Sequence, residues 1–239
     1  MVAEAMEPHG LALLAYFQGD TDAQLVIRRD DGLNNPMPAS HFFRSPDEFS
    51  SIERSALDHC HGKVLDIGAG TGIHALVLES RGMEVSAIDV SLHAVDVMHA
   101  RGVRDAHQVD AFHYHGGPYD TLLMLGHGIG MVEDLTGLER FLAHARALTR
   151  PGGQLLVHSV DVRRTDDPRH LAYHDMNRQA GRYIGTIRFR FEFHGQAGPY
   201  CQWLHVDPET LQQHADAGGW GYRAIHEEES GEYLAQLTR

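Results

Sequence analysis

Residues 64–72 read VLDIGAGTG, and the aspartate Asp89 closes EVSAID seventeen positions beyond Gly72. A short apolar run, a glycine-rich turn and a distant acid describe a strand that turns into a helix under a bound nucleotide. A dinucleotide fingerprint places its glycines as G-x-G-x-x-G, and its third glycine falls here on Ile73. The pattern present is D-x-G-x-G-x-G, with Asp66 on the strand itself. An acid there opposes a pyrophosphate and favours an ammonium. The turn selects a ligand with a positively charged amino group.

Working outward, the text alternates. KVLDIG, EVSAIDV, a weak DAHQVDA, YDTLLMLG and QLLVHSVD are successive strands, separated by TGIHALVLESRG, SLHAVDVMHARG and TGLERFLAHARALTRPGG as helices. Ser91 caps the second of these helices and Gly102 stands past its end. Short connections between alternating strands and helices imply right-handed parallel βαβ units with helices on both faces. Beyond Asp161 the pattern changes. YIGTIRFRFEFHG alternates strictly, with Ile187, Phe189, Phe191 and Phe193 on one face, as in a half-exposed antiparallel strand. DPETLQQHADAGG is a helix and the last eighteen residues form a hairpin-like pair. The expected division is a helical and irregular cap over 1–60, a nucleotide-binding core over 61–160, and antiparallel strands over 161–239 that complete the sheet and wall an acceptor site. In the cap, prolines 36 and 38 forbid a regular helix, and SPDEFSSIERSALDHC restarts helix from Ser45.

Composition narrows the function classes. The chain of 239 residues is 42% hydrophobic and 22% charged, ordinary for a globular protein. Its formal net charge of −13 opposes counterion-release binding to nucleic acid. Seven arginines lie between Arg163 and Arg190, but acids are interspersed, so a solvated mixed-charge face is expected. No apolar window is long enough for a membrane span. The N-terminus does not read as a signal peptide, and the expected location is the cytoplasm. Cys60 and Cys201 read as buried small hydrophobes. The nineteen histidines are scattered and match no closed ligand set, so no metal site is expected.

Three acids close three consecutive strands. Asp66 suits an ammonium, Asp89 the two hydroxyls of a ribose, and Asp110 in QVDAF an adenine amino group, or else a turn cap. S-adenosylmethionine carries all three groups. VLDIGAGTG, AIDVS, VDAF, YDTLLMLG and RPGGQLLV, in that order, resemble the successive motifs of the class I S-adenosylmethionine-dependent methyltransferases over residues 62–160. The resemblance implies an α/β Rossmann-like fold: a mostly parallel seven-stranded sheet with an antiparallel C-terminal strand. It also implies that Gly68, Ala69 and Gly70 line the methionine–ribose portion, that Val90 packs on adenine, and that Asp110 with Ala111 reads the adenine edge. Leu125 and Gly126 would pass beneath the sulfonium.

The acceptor half is less explicit. LGHGIG lacks the Asn/Asp-Pro-Pro-Tyr-like sequence of amino-group methyltransferases of nucleic acid or peptide-release type, and it lacks the acids of a catechol-type metal site. His127, between glycines, suits a general base or a residue that shapes the pocket. Arg44 is a candidate bidentate partner for the methionine carboxylate, and Phe42 and Phe43 for a lid. The aromatic residues of 161–205, among them Tyr173, Tyr183, Trp203 and His205, are expected to wall a small organic acceptor. The leading expectation is therefore methyl transfer to O, N or S of a small molecule, with no nucleic-acid or membrane partner and no indication of oligomeric state. The alternatives are a methyltransferase-like module without turnover and an NAD-dependent oxidoreductase.

Overall fold

The computed structural model describes residues 3–239. Among them the strand and helix periodicities resolve into two sheets. The larger is built from β3 (Lys63–Ile67), β4 (Glu84–Asp89), β5 (Ala106–Gln108), β6 (Tyr119–Met124), β7 (Thr149–Val160), β11 (Gly221–Glu227) and β12 (Glu232–Thr238). Its order is β11-β12-β7-β6-β3-β4-β5. The five strands from β3 to β7 pair in parallel, and β12 runs against both of its neighbours. The order reverses at β3, so the cleft outside the carboxyl ends of β3, β4 and β6 is the place for a ligand.

Helices cover both faces because the parallel strands are apolar on both. On one face α5 (Leu135–Leu148) and α7 (Pro208–Ala217) pack Leu138, Phe141, Leu142 and Leu211 onto Leu65, Leu122 and Leu155. On the other, α2 (Ser51–His59), α3 (Ile73–Ser80) and α4 (Leu92–Arg101) bring Ile52, Leu57, Leu78 and Met98 against Val64, Leu123 and Leu156. The restart expected at Ser45 is split. Ser45 and Glu48 form one capping box around a single 3-10 turn, and Ser50 with Glu53 forms a second that starts α2.

The second sheet departs from the expected division. β8 (Thr186–Phe193) alternates as read, but it does not complete the main sheet. It pairs antiparallel with β1 (Gln24–Arg29) on one side and β10 (Cys201–Leu204) on the other. β9 (Gln196–Ala197) adds a short return. β2 (Asn34–Pro38) pairs with β1 at the outer edge, where its two prolines leave no ladder donor missing. The first 60 residues and the segment after 160 thus share one sheet. Alternation shows that a strand has one buried face; it does not say which strand lies beside it.

α1 (Ala3–Phe17) and the apolar face of β8 share a core of Ala5, Leu13, Phe189, Phe191 and Phe193. Gly10 lets α1 approach the start of α4, since a Cβ there would lie 2.2 Å from Ser91 Oγ. Against the main sheet the second sheet is seated through Trp203, whose indole occupies the space beside Gly130. A Cβ on Gly130 would fall 1.8 Å from the indole nitrogen. Gly130→Ala is therefore expected to destabilise the chain by about 1–3 kcal/mol through displacement of Trp203. Urea unfolding measures this, and an unchanged midpoint would show that the indole moves aside without cost.

Candidate active site

The loop after β3 is shaped by its glycines and hooked onto β4. Gly68 and Gly70 hold φ of +72° and +57°, a region open chiefly to glycine. The N–H groups of Gly68 and Ala69 both donate to Ile88 O, at 2.9 and 3.1 Å. Gly70 N–H donates to Asp89 Oδ2 at 2.9 Å, and Ser91 N–H donates to Asp89 Oδ1 at 2.9 Å. A Cβ at Gly70 would meet nothing within 4 Å, so the loop opens directly onto a cavity, with the N-terminus of α3 behind it. Gly72 differs. Its Cβ position is filled by Val103 and Met98, which makes it a packing glycine.

That cavity has a volume of about 700 Å³ and brings together the eleven residues expected to bind the cofactor and His127. Asp66, Gly68, Ala69 and Gly70 line it from β3 and its loop, Asp89 and Val90 from the end of β4, Asp110 and Ala111 from beyond β5, and Leu125, Gly126 and His127 from the end of β6. Arg44 enters from the cap.

Asp66 is buried, and its Oδ2 has no hydrogen-bond partner. Burial pushes its pKa up to about 6; His74 opposes the shift and Asp89 adds to it. An incoming ammonium would supply the missing donor. Asp89 is buried too, and burial raises its pKa against the N–H groups of Ser91 and Gly70. Asp110 caps a short turn by accepting from Phe112 N–H at 2.8 Å, so the turn-cap role coexists with its place in the cavity wall. Arg44 is less free than expected: its guanidinium forks onto Glu53 at 3.0 and 3.2 Å. Against the upward push of burial, His74, the Ser50 backbone and Arg44 bring Glu53 down to about 2. Phe42 lines the cavity. Phe43 instead stacks with Tyr16 and Phe17.

At the far end of the cavity the second sheet forms a roof of Ile27, Ile187, Phe189, Phe191 and Trp203. Tyr173 and Tyr183 are structural braces rather than walls: their hydroxyls donate to Asp30 and Asp207 at 2.8 and 2.5 Å. Arg163, Arg169 and Arg178 are each paired with acids, as a solvated mixed-charge face requires.

The histidines do not stay scattered. His127, His158 and Glu232 place ligand-capable atoms within 4.8 Å of one another, a grouping that their spacing in the sequence does not suggest. His127 follows β6 in a left-handed conformation, φ 57° and ψ 27°, uncommon for a residue with a side chain. His158 lies on β7, and the register that sets Leu234 opposite His158 and Glu232 opposite Val160 puts Glu232 on the same face. The two imidazoles hold the Glu232 carboxyl well below the usual range. Burial lowers His158, and burial with the two neighbouring imidazoles brings His205 down to about 3. His9 on α1 is a further cavity residue the sequence did not indicate. It packs between Phe42 and Phe191, its Nδ1 is without a partner, and burial brings it down to about 4.

Comparison with known proteins agrees with this geometry. A family model described as a methyltransferase domain matches residues 44–215. A crystal structure of an S-adenosylmethionine-dependent methyltransferase from Bacteroides fragilis, in complex with S-adenosyl-L-homocysteine, superposes with a TM-score of 0.86 at 33% identity, covering 100% of this chain and 96% of that one. The chain belongs to the class I S-adenosylmethionine-dependent methyltransferases. It is an enzyme of that family with S-adenosylmethionine as cofactor, which removes the NAD reading and the module without turnover. More distant structures share the fold. An amino pentose methyltransferase of Micromonospora echinaspora, involved in calicheamicin biosynthesis, matches at 16% identity and a TM-score of 0.53, over 79% of this chain and 88% of that one. The 1,6-didemethyltoxoflavin-N1-methyltransferase of Burkholderia thailandensis matches at 18% identity and 0.51, over 97% and 90%. No match was found among curated proteins. Among the described residues no helix is long and apolar enough to cross a membrane.

Two outcomes follow for the cofactor half. Asp89→Ala is expected to weaken S-adenosylhomocysteine binding about ten- to hundredfold, the value of hydrogen bonds to one charged group. Isothermal titration measures it, and unchanged affinity would remove Asp89 from the ribose site. Asp66 sets a pH dependence. An acid whose folded pKa stands above its unfolded value binds more protons folded than unfolded, so its carboxylate destabilises the free protein as pH rises through 6. A bound ammonium favours that carboxylate. Affinity for S-adenosylmethionine is therefore level above about pH 7 and falls below about pH 6, by up to about tenfold per unit. Asp66→Asn should flatten the curve; an unaltered curve would place the titrating group elsewhere.

Proposed function

We propose that this methyltransferase modifies a small-molecule acceptor at oxygen, nitrogen or sulfur. The observation that carries the reading is that the cofactor motifs and the aromatic roof enclose one cavity of about 700 Å³. That is the scale of a small-ligand site, with room for a nucleoside cofactor and a modest partner. The net charge of −13 and the acid-paired arginines also disfavour a nucleic-acid substrate. Two buried free thiols support a cytoplasmic setting.

In this reading the cofactor's ammonium meets Asp66, its ribose meets Asp89, and adenine lies between Val90 and the Asp110–Ala111 turn. Gly68, Ala69 and Gly70 follow the methionine–ribose portion. Leu125 and Gly126 run beneath the sulfonium, and Arg44 turns its remaining N–H groups to the carboxylate. Transfer is an in-line displacement. A lone pair of the acceptor forms the new bond to the methyl carbon, the carbon–sulfur bond breaks, and its electron pair stays on sulfur. Alignment alone is worth up to about 7–11 kcal/mol.

The acceptor's own proton must also be displaced. His127 is the group placed to act on it, at the end of β6 beside the roof, and is the proposed catalytic residue. His127→Ala is expected to lower kcat by about 10²- to 10⁴-fold while S-adenosylhomocysteine binding stays within about twofold. The assay is release of S-adenosylhomocysteine across a panel of phenols, thiols, amines and heterocycles, with transfer RNA and protein lysate in parallel. Turnover confined to the macromolecular substrates would overturn the small-molecule reading.

A further inference from the structure

Three features of the acceptor end go unexplained if His127 works alone. His127 Nε2 stands 3.5 Å from Glu232 Oε1, and His158 Nε2 stands 3.8 Å from Glu232 Oε2. Neither contact has the geometry of a hydrogen bond, and His127 Nε2 and both ring nitrogens of His158 have no hydrogen-bond partner among the described residues beyond these loose contacts to Glu232. His158 is only 6% exposed. A histidine–carboxylate pair that relays a proton works at about 2.6–3.2 Å, although such bonds are often longer before substrate binds. A buried polar group left unsatisfied costs about 1–3 kcal/mol. The spacing fits a different purpose. Two ligands of a tetrahedral zinc-like ion, each about 2.0–2.2 Å from it, lie about 3.4 Å from each other.

We infer that His127, His158 and Glu232 form a binding site for a first-row divalent metal ion, which holds and activates the acceptor. This rests on the placement of the acceptor beside His127 proposed above. Two imidazoles and one carboxylate are the donor set of zinc sites that keep a position open for chemistry, and of non-haem iron(II) sites. Magnesium and calcium prefer oxygen donors alone. The three donors come from the end of β6, from β7 and from the start of β12, so the ion would sit at the floor of the cavity with its open side toward the roof.

The site narrows the acceptor to a hydroxyl or thiol compound. Binding to the ion acidifies the O–H or S–H group, as it does a bound water, and the proton leaves to solvent. The anionic oxygen or sulfur then forms its bond to the methyl carbon, the carbon–sulfur bond of the sulfonium breaks, and sulfur keeps the pair as a neutral thioether. No electron is gained or lost by the ion. His127 in this account acts as a ligand that positions the acceptor rather than as a free base.

The test is direct titration of chelator-treated, full-length protein with cobalt(II) and then zinc(II), with and without S-adenosylhomocysteine. One equivalent of cobalt(II) should bind with visible ligand-field absorption, and one equivalent of zinc(II) should abolish that absorption. His158→Ala and Glu232→Gln should each weaken binding by more than about tenfold, since loss of outer-shell partners alone costs ten- to hundredfold. His194→Ala, an exposed histidine on the β8–β9 turn, should leave binding unchanged. Binding of S-adenosylhomocysteine reports that each variant is folded; if His158→Ala fails this check, the milder Glu232→Gln decides. Absence of stoichiometric binding, or equal binding in folded Glu232→Gln, would overturn the inference by assigning any uptake to the other histidines. Small-molecule turnover undiminished in the metal-free enzyme would also overturn it and leave the small-molecule reading standing.

Discussion

The carboxylate of Asp89 is the point on which the cofactor half depends. It ends β4, accepts Gly70 N–H with one oxygen and Ser91 N–H with the other, and so ties the glycine loop of one strand to the first turn of the helix after the next. Gly68 and Ala69 reinforce the join through Ile88 O. Without these ties the loop has no reason to hold two left-handed glycines in sequence with an open mouth between them. The burial that raises the acid's pKa also strengthens each donated hydrogen bond, because little water competes for the carboxylate. Any ligand that reaches Asp89 meets a group already oriented by the backbone.

The acceptor half rests on a pairing of a different kind. β1 and β8 meet across more than 150 residues of chain, Val26 opposite Glu192 and Ile27 opposite Phe191. Their joint sheet turns its aromatic face toward the strand ends of the main sheet, and α1 packs on that same face beside the cavity, with His9 in its lining. Gly130 and Trp203 fix the distance between the two sheets. The cavity is thus the gap left between the two sheets, and the fit of Trp203 against Gly130 sets its height.

The cofactor half was legible because its chemistry is local. Asp66, Gly68, Gly70, Asp89 and Asp110 stand at the ends of contiguous strands, and parallel βαβ winding brings successive strand ends to one edge whatever the rest of the chain does. The acceptor half was not, because its chemistry is assembled by register. His158 lies inside a strand that reads as buried core, and Glu232 lies in a terminal hairpin 74 positions later; only the antiparallel β7–β12 ladder sets them on one face. The strict alternation of residues 187–193 foretold a half-buried strand, and QLVIRR reads as a short strand too, yet nothing in either pattern says that β8 and β1 lie side by side. Arg44 shows the opposite failure. It reaches the expected cavity, and its fork is taken by Glu53, a residue that helix-start reasoning alone leaves in solvent.

The two ends of the cavity are electrostatically unlike, and the difference bears on direction of transfer. Buried acids, Asp66 and Asp89, line the end formed by β3 and β4, which suits a cofactor that arrives as a cation and leaves as a neutral thioether. Imidazoles line the other end, with a single carboxylate among them, and burial keeps His158 and His205 toward their neutral forms. With one carboxylate rather than a row of them, this end opposes an electron-rich nucleophile less than the acidic end would. In the proposed arrangement the positive sulfonium would lie between the carboxylates of one end and the imidazoles of the other, where opposite charge on one side favours the cation. The fold achieves this separation by drawing the first set from β3, β4 and the turn after β5, and the second from the end of β6, β7, β12 and the chain beyond β10.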